Sequence, residues 1–136
     1  MNNNIQLPDY DRSILSISSS IMKYYNVDSN YKSLDELDNI LKKDYKNIVY
    51  LILDCLGDNI LKENTQDNSI LKSNKITTVT SVFPPTTAAA TTAIHSGLSP
   101  LESGWVGWMP YFKEYDKAIE LFTGNDFYTD EKIIKG

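Results

Sequence analysis

Two short stretches of this chain carry residue types that could do phosphorus chemistry together. Asn47-Ile48-Val49-Tyr50-Leu51-Ile52-Leu53-Asp54 is an apolar run ending in a carboxylate, and Phe83-Pro84-Pro85-Thr86-Thr87-Ala88-Ala89-Ala90 brings hydroxyls to the start of a helix-forming run. A carboxylate at the carboxyl end of a strand in an open α/β sheet sits where ligands collect, and it suits a hard or borderline cation. A threonine hydroxyl is a poor nucleophile at neutral pH, and metal coordination is one route to activating it. Both residues also have plain structural readings. Asp54 can cap the helix that follows it, with Gly57 easing the turn, and Thr86 can be an ordinary N-cap.

The elements that must position these groups follow from the pattern around them. The run 47–53 is nearly continuous in apolar, partly β-branched residues, as expected of a strand covered on both faces. Residues 76–82 are rich in Thr and Val and read as a second strand. Thr87 to Ser96 reads as a helix stopped by Gly97, with Pro100 just beyond. Pro84 and Pro85 fix the backbone before it. The free N–H groups at such a helix start favour anions, phosphate included. Upstream, residues 1–10 read as extended, broken by Pro8. Residues 11–25 read as a helix with Ile14, Ile17, Ile21 and Tyr25 on one face. A second helix starts at Ser33, where Ser33 and Glu36 have capping-box spacing. Leu34, Leu37, Ile40 and Leu41 form its apolar face. Short helices are expected near 58–64 and after Ser69. Strands alternating with helices imply an α/β layered fold. The organisation is a helical lead-in over 1–46 and an α/β portion over 47–136.

Composition narrows the function classes. The chain has 136 residues, 41% hydrophobic and 23% charged, enough for one modest domain. Its net charge of −5 argues against a nucleic-acid backbone binder. A nucleotide-sized substrate stays open, since metal ions can supply positive charge. The single cysteine, Cys55, excludes an internal disulfide. No apolar run reaches the roughly 20 residues of a membrane span. The start Met1-Asn2-Asn3-Asn4-Ile5 lacks the pattern of a signal peptide, so a cytoplasmic location is expected.

The string Val49-Tyr50-Leu51-Ile52-Leu53-Asp54-Cys55-Leu56-Gly57, then Ser81-Val82-Phe83-Pro84-Pro85-Thr86-Thr87-Ala88 and Ser96-Gly97-Leu98-Ser99-Pro100, resembles the alkaline phosphatase superfamily. The branch it resembles is the type I phosphodiesterase/nucleotide pyrophosphatase family. The likeness extends, more weakly, to Pro8-Asp9-Tyr10-Asp11-Arg12-Ser13 and to Gly104-Trp105-Val106-Gly107-Trp108. The resemblance implies a three-layer α/β/α sandwich and a metal-dependent hydrolase of phosphodiester, phosphomonoester or nucleotide pyrophosphate bonds. Asp54 matches the family's first metal-ligand Asp. Thr87 matches the Thr that attacks phosphorus and also ligates a metal, which makes Thr86 a neighbour. The implied cofactor is two divalent metal ions, zinc in most members, and the implied partner is a small phosphate ester or nucleotide, with no nucleic-acid polymer and no membrane.

The chain departs from the family in several places. Cys55 replaces the usual Gly after the Asp. Ala90 stands where nucleotide pyrophosphatases often carry a phosphate-contacting Asn. The family's later Asp and His ligands have no counterpart, and the one histidine, His95, reads as a packing or helix-end residue. Asp116, Asp126 and Asp130 read as solvated. A zinc site needs about four ligands, and Asp54 and Thr87 supply two of them. The expectation is therefore the N-terminal part of one catalytic domain, inactive alone. The aromatic group Trp105, Trp108, Tyr111 and Phe112 reads as core or as a surface for further protein. Other readings are a sulfatase, against which the Thr at position 87 argues, or a phosphoglycerate-mutase relative, and a non-enzymatic α/β regulatory or binding module using Asp54 as phospho-acceptor.

Overall fold

A computed structural model describes residues 7–134. The expected extension over residues 1–6, with the start that bears on a signal peptide, lies outside them. The chain is a mixed, helix-dominated α/β structure. A 3-10 turn, Tyr10–Arg12, precedes α1 (Ile14–Tyr24), α2 (Asp35–Leu41), α3 (Asp58–Asn64), α4 (Ile70–Ser73), α5 (Thr87–Ser96) and α6 (Pro100–Ser103). A hairpin of β1 (Tyr111–Phe112) and β2 (Lys117–Ala118) follows, pairing Tyr111 with Ala118 and Phe112 with Lys117. Among the described residues this is a two-stranded antiparallel sheet, and no three-layer sandwich is formed. No helix among them is long and apolar enough to cross a membrane.

The helix bounds follow local chemistry. Ser13 caps α1 by accepting the Leu15 N–H, and Ser16 returns a bond to the Ser13 N–H in a capping box. Ser69 caps α4 through the Lys72 N–H, and Ser99 and Glu102 form the capping box of α6. Helix α5 ends at Gly97 with φ +70°, where a Cβ would also meet the Met22 sulfur at 2.9 Å. Only glycine suits both the left-handed backbone and that close approach.

The capping box expected at Ser33 does not form. Leu34 is the N-cap residue of α2 and makes no side-chain cap bond. Ser33 instead donates to Asp38 at 2.7 Å, and Glu36 is drawn away by Arg12 at 2.7 Å. Charge-assisted bonds to Arg12 and Lys23 compete successfully with the neutral cap.

The core sits where α1 crosses α5. Leu15, Val82 and Ala93 are fully buried there, with Tyr10, Ile14, Tyr31 and Ala90 packed around them. The face of α1 that is buried is its serine face, Ser16 and Ser18 to Ser20 beside Leu15, and not the isoleucine stripe. Across from it α5 presents Ala88, Ala89 and Ala93. Small side chains let the two helices approach closely, and each serine hydroxyl finds a partner. Ser18 donates to the Ile94 carbonyl at 2.8 Å, Ser19 bonds Ser29 at 2.7 Å, and Ser20 accepts the Leu34 N–H at 2.9 Å. Burial of a hydroxyl is tolerated only on that condition. Ile14 and Ile17 face a cavity of about 680 Å³ shared with Leu34, Leu37, Leu61 and Ile76.

The two expected strands behave differently. Thr80 in the stretch 76–82 makes an isolated parallel bridge to Ser13, with Ile14 N–H to the Thr80 carbonyl and Thr80 N–H to the Arg12 carbonyl, each at 2.9 Å. The run 47–53 forms no strand. Val49 is 88% and Leu51 73% exposed, and no main-chain hydrogen bond joins the run to any described residue. A strand covered on both faces needs neighbours on both edges and layers above and below. The described residues supply none of these to 47–53.

Candidate functional site

Thr87 is the first residue of α5, as the pattern of prolines and alanines requires. The cap is Thr86, whose hydroxyl accepts the Ala89 N–H at 3.3 Å and whose carbonyl accepts the Ala90 N–H at 2.8 Å. Among the described residues the Thr87 hydroxyl has no hydrogen-bond partner, and neither do the N–H groups of Thr87 and Ala88. The Thr87 carbonyl is taken by the Thr91 hydroxyl at 2.7 Å. The two threonines thus divide the work: one closes the helix start, and the other leaves a half-buried hydroxyl beside unpaired amides. Those amides carry the positive end of the helix dipole.

Asp54 lies in the turn between the run 47–53 and α3. Its Oδ1 accepts the N–H of Cys55 at 2.8 Å, an ordinary turn bond, and its carboxylate is otherwise exposed. Cys55 takes φ +60°, a left-handed conformation that glycine adopts without strain. The position therefore retains a glycine-like backbone although its side chain is larger. The Cys55 thiol is free and exposed.

The two candidate ligands stand on different supports. Helix α5 packs on α1 and α6, whereas α3, which follows Asp54, contacts α4. No hydrogen bond joins the Asp54 turn to the head of α5. Among the described residues no group of three or more His, Cys, Asp and Glu side chains gathers as a metal site. His95 is exposed in the last turn of α5, the helix-end role expected of it. With Thr91, Thr92, Ser96 and Trp105 it borders a shallow apolar recess.

Two expectations about the remaining residues need correction. Asp126 is not solvated: it is 5% exposed, bonded to Lys117 at 2.8 Å, and accepts the N–H groups of Tyr128 and Thr129. The Lys117 ammonium and these amides hold its carboxyl down at about 2. The signal available in sequence was Asp126 followed by Tyr128 and Thr129, an Asx-type turn in which a carboxylate binds the main chain two residues on. Nor does the aromatic group form core: Trp105, Trp108 and Tyr111 are exposed. Trp108 packs on Phe122 in a tilted pair with ring centroids 4.6 Å apart, Phe112 meets Tyr115 edge-on, and Tyr111 donates to Asp116.

Carboxylates elsewhere serve the fold. Lys62 and then Lys75 lower Asp58 to about 2, pinning the start of α3 to the stretch before 76–82. The Tyr31 hydroxyl lowers Glu102 to about 2, with the α6 cap adding to it. Compared with protein-family models, with curated proteins and with solved structures, the chain finds no match in any of the three.

Proposed function

We propose that this chain is the N-terminal portion of a metal-dependent phosphodiesterase or nucleotide-pyrophosphatase-like hydrolase, with Thr87 as nucleophile and Asp54 as a metal ligand. The observation that carries the reading is the unbonded Thr87 hydroxyl beside the free amides of the α5 start, with Thr86 performing the cap. The residue that the alkaline phosphatase resemblance names as nucleophile is the one left available. On this reading the run 47–53 becomes a covered strand of a three-layer α/β/α domain, in a cytoplasmic enzyme, once the remaining strands are supplied.

The donor chemistry fits half of a metal site. Asp54 has an oxygen that no described residue occupies, and Thr87 has a free hydroxyl. Both are oxygen donors, and zinc needs about two more ligands than this pair provides. Divalent ions, when bound, supply the charge that neutralises the phosphate and makes a threonine hydroxyl nucleophilic. The chain's own part would be to hold that hydroxyl at the helix start, so that its oxygen bonds phosphorus as the bond to the leaving oxygen breaks and its proton passes to water, with the two free amides facing the phosphate oxygens.

Zinc titration followed by amide NMR of the 136-residue chain tests this. The amides of Cys55, Thr87 and Ala88 are expected to shift with one common, weak saturation curve, and Asp54→Asn is expected to remove the shifts at both segments. The same chain is expected not to turn over bis-p-nitrophenyl phosphate. Shifts at one segment only, or turnover that survives Thr87→Ala, would sink the reading.

A further inference from the structure

Residues 48–53, Ile48-Val49-Tyr50-Leu51-Ile52-Leu53, are six consecutive apolar or aromatic residues without charge, proline or glycine. Such segments have high β-propensity and readily pair with copies of themselves. Here the segment is offered openly. Val49 is 88% exposed and Leu51 73%, and its main-chain donors and acceptors meet no partner among the described residues.

We propose that the run 46–54 is a self-recognition strand, and that its partner is the same strand of a second copy of this chain, paired antiparallel about Tyr50. The charges at its ends select this arrangement. The run is bounded by Lys46 on one side and Asp54 on the other, both exposed. In an antiparallel pair centred on Tyr50, Lys46 of each copy lies opposite Asp54 of the other. Ile48 then faces Ile52, Val49 faces Leu51, and Tyr50 faces Tyr50. A parallel, in-register pair would stack Lys46 on Lys46 and Asp54 on Asp54, which is unfavourable for directly opposed like charges. Directly opposed residues stand about 4.5–5.5 Å apart at Cβ, so the apolar pairs touch. Antiparallel pairing about a two-fold also closes the contact into a symmetric dimer, the commonest form of homo-oligomer. The pairing uses the main-chain edge of 47–53 and the Asp54 carboxylate that the proposed function gives to a neighbouring strand and a metal ion, so it belongs to the 136-residue chain by itself, without bound metal.

Sedimentation velocity of the full chain over a wide concentration range tests it, with circular dichroism to verify that each variant keeps its helices. The chain is expected to pass from monomer to dimer. Leu51→Lys, which sets a charge against Val49, is expected to weaken the dimer at least tenfold. Lys46→Glu opposes two carboxylates at each end and is expected to weaken it several-fold. Adding Asp54→Lys to Lys46→Glu reverses both ends and is expected to restore it. A chain that stays monomeric throughout, a dimer indifferent to Leu51→Lys, open-ended fibres in place of a closed pair, or a double reversal that restores nothing would each overturn the proposal.

Discussion

The α1–α5 contact and the run 47–53 differ in the opposite sense to their sequences. The contact is built from serines and alanines, residues of modest hydrophobicity, yet Ser16, Ala89 and Ala93 in it are fully buried. The run 47–53 is the most apolar stretch of its length, yet Val49 and Leu51 stand in solvent. Burial follows the supply of complementary surface, and hydrophobicity sets only the demand. The serine face has alanines close by and a hydrogen-bond acceptor or donor for each hydroxyl. The apolar run has no neighbouring strand to take its main-chain groups, and without one its side chains have no layer to enter.

The largest expected effect contrasts these regions directly. Leu15→Ala removes a fully buried side chain that packs on Val82 and Ala93, and such truncations cost about 2–5 kcal/mol. Val49→Ala, at an exposed site, is expected to stay within about 0.5 kcal/mol. Urea unfolding followed by circular dichroism compares the two. Equal losses would mean that 47–53 is packed in solution and that the contrast is false.

A smaller effect probes the condition on which the serine face is buried. Ser20→Ala leaves the Leu34 N–H, bonded at 2.9 Å, without its acceptor. An orphaned buried donor costs about 1–3 kcal/mol, although alanine is the better helix former. The same urea experiment is expected to show a loss at Ser20→Ala, where the helix propensity of alanine alone would give a slight gain. No loss at Ser20→Ala would show that the hydroxyls are passengers in a contact governed by size alone.

These contrasts explain what the sequence made legible. Helices with a local stop or start signal were readable: α5 from its prolines, alanines and Gly97, α4 from Ser69, α1 from its periodicity. Short-range signals suffice there because the groups they satisfy lie within a turn. The inward face of α1 was not readable, because the isoleucine stripe and the serine stripe compete, and only the position of α5 decides between them. The strand at 47–53 depends wholly on distant partners, so its pattern states a preference that the described residues do not meet. At the candidate site, the division of labour between Thr86 and Thr87 follows from local capping rules. Bringing Asp54 to the head of α5 depends on distant packing, as the strand does.

The smallest expected effect concerns Asp126, where a local turn and a long-range pair act on one carboxylate. Its ordinary value of 3.8 falls to about 2 because Lys117 and the Thr129 and Tyr128 amides favour the charged form. The unfolded chain therefore binds the proton first on acidification. The stabilisation is complete above pH ~4, is lost as pH falls toward about 2, and does not change at neutral pH. Asp58 and Glu102 are lowered to a similar level and titrate in the same window, so the informative quantity is a difference. Tryptophan fluorescence, with Trp108 against Phe122 in the same C-terminal segment, is expected to report acid unfolding at a lower pH for the native chain than for Asp126→Asn. The variant keeps a side-chain acceptor for the two amides and loses the charge that Lys117 answers. If the two chains unfold at the same pH, the Lys117 pair contributes nothing and the turn alone holds Asp126.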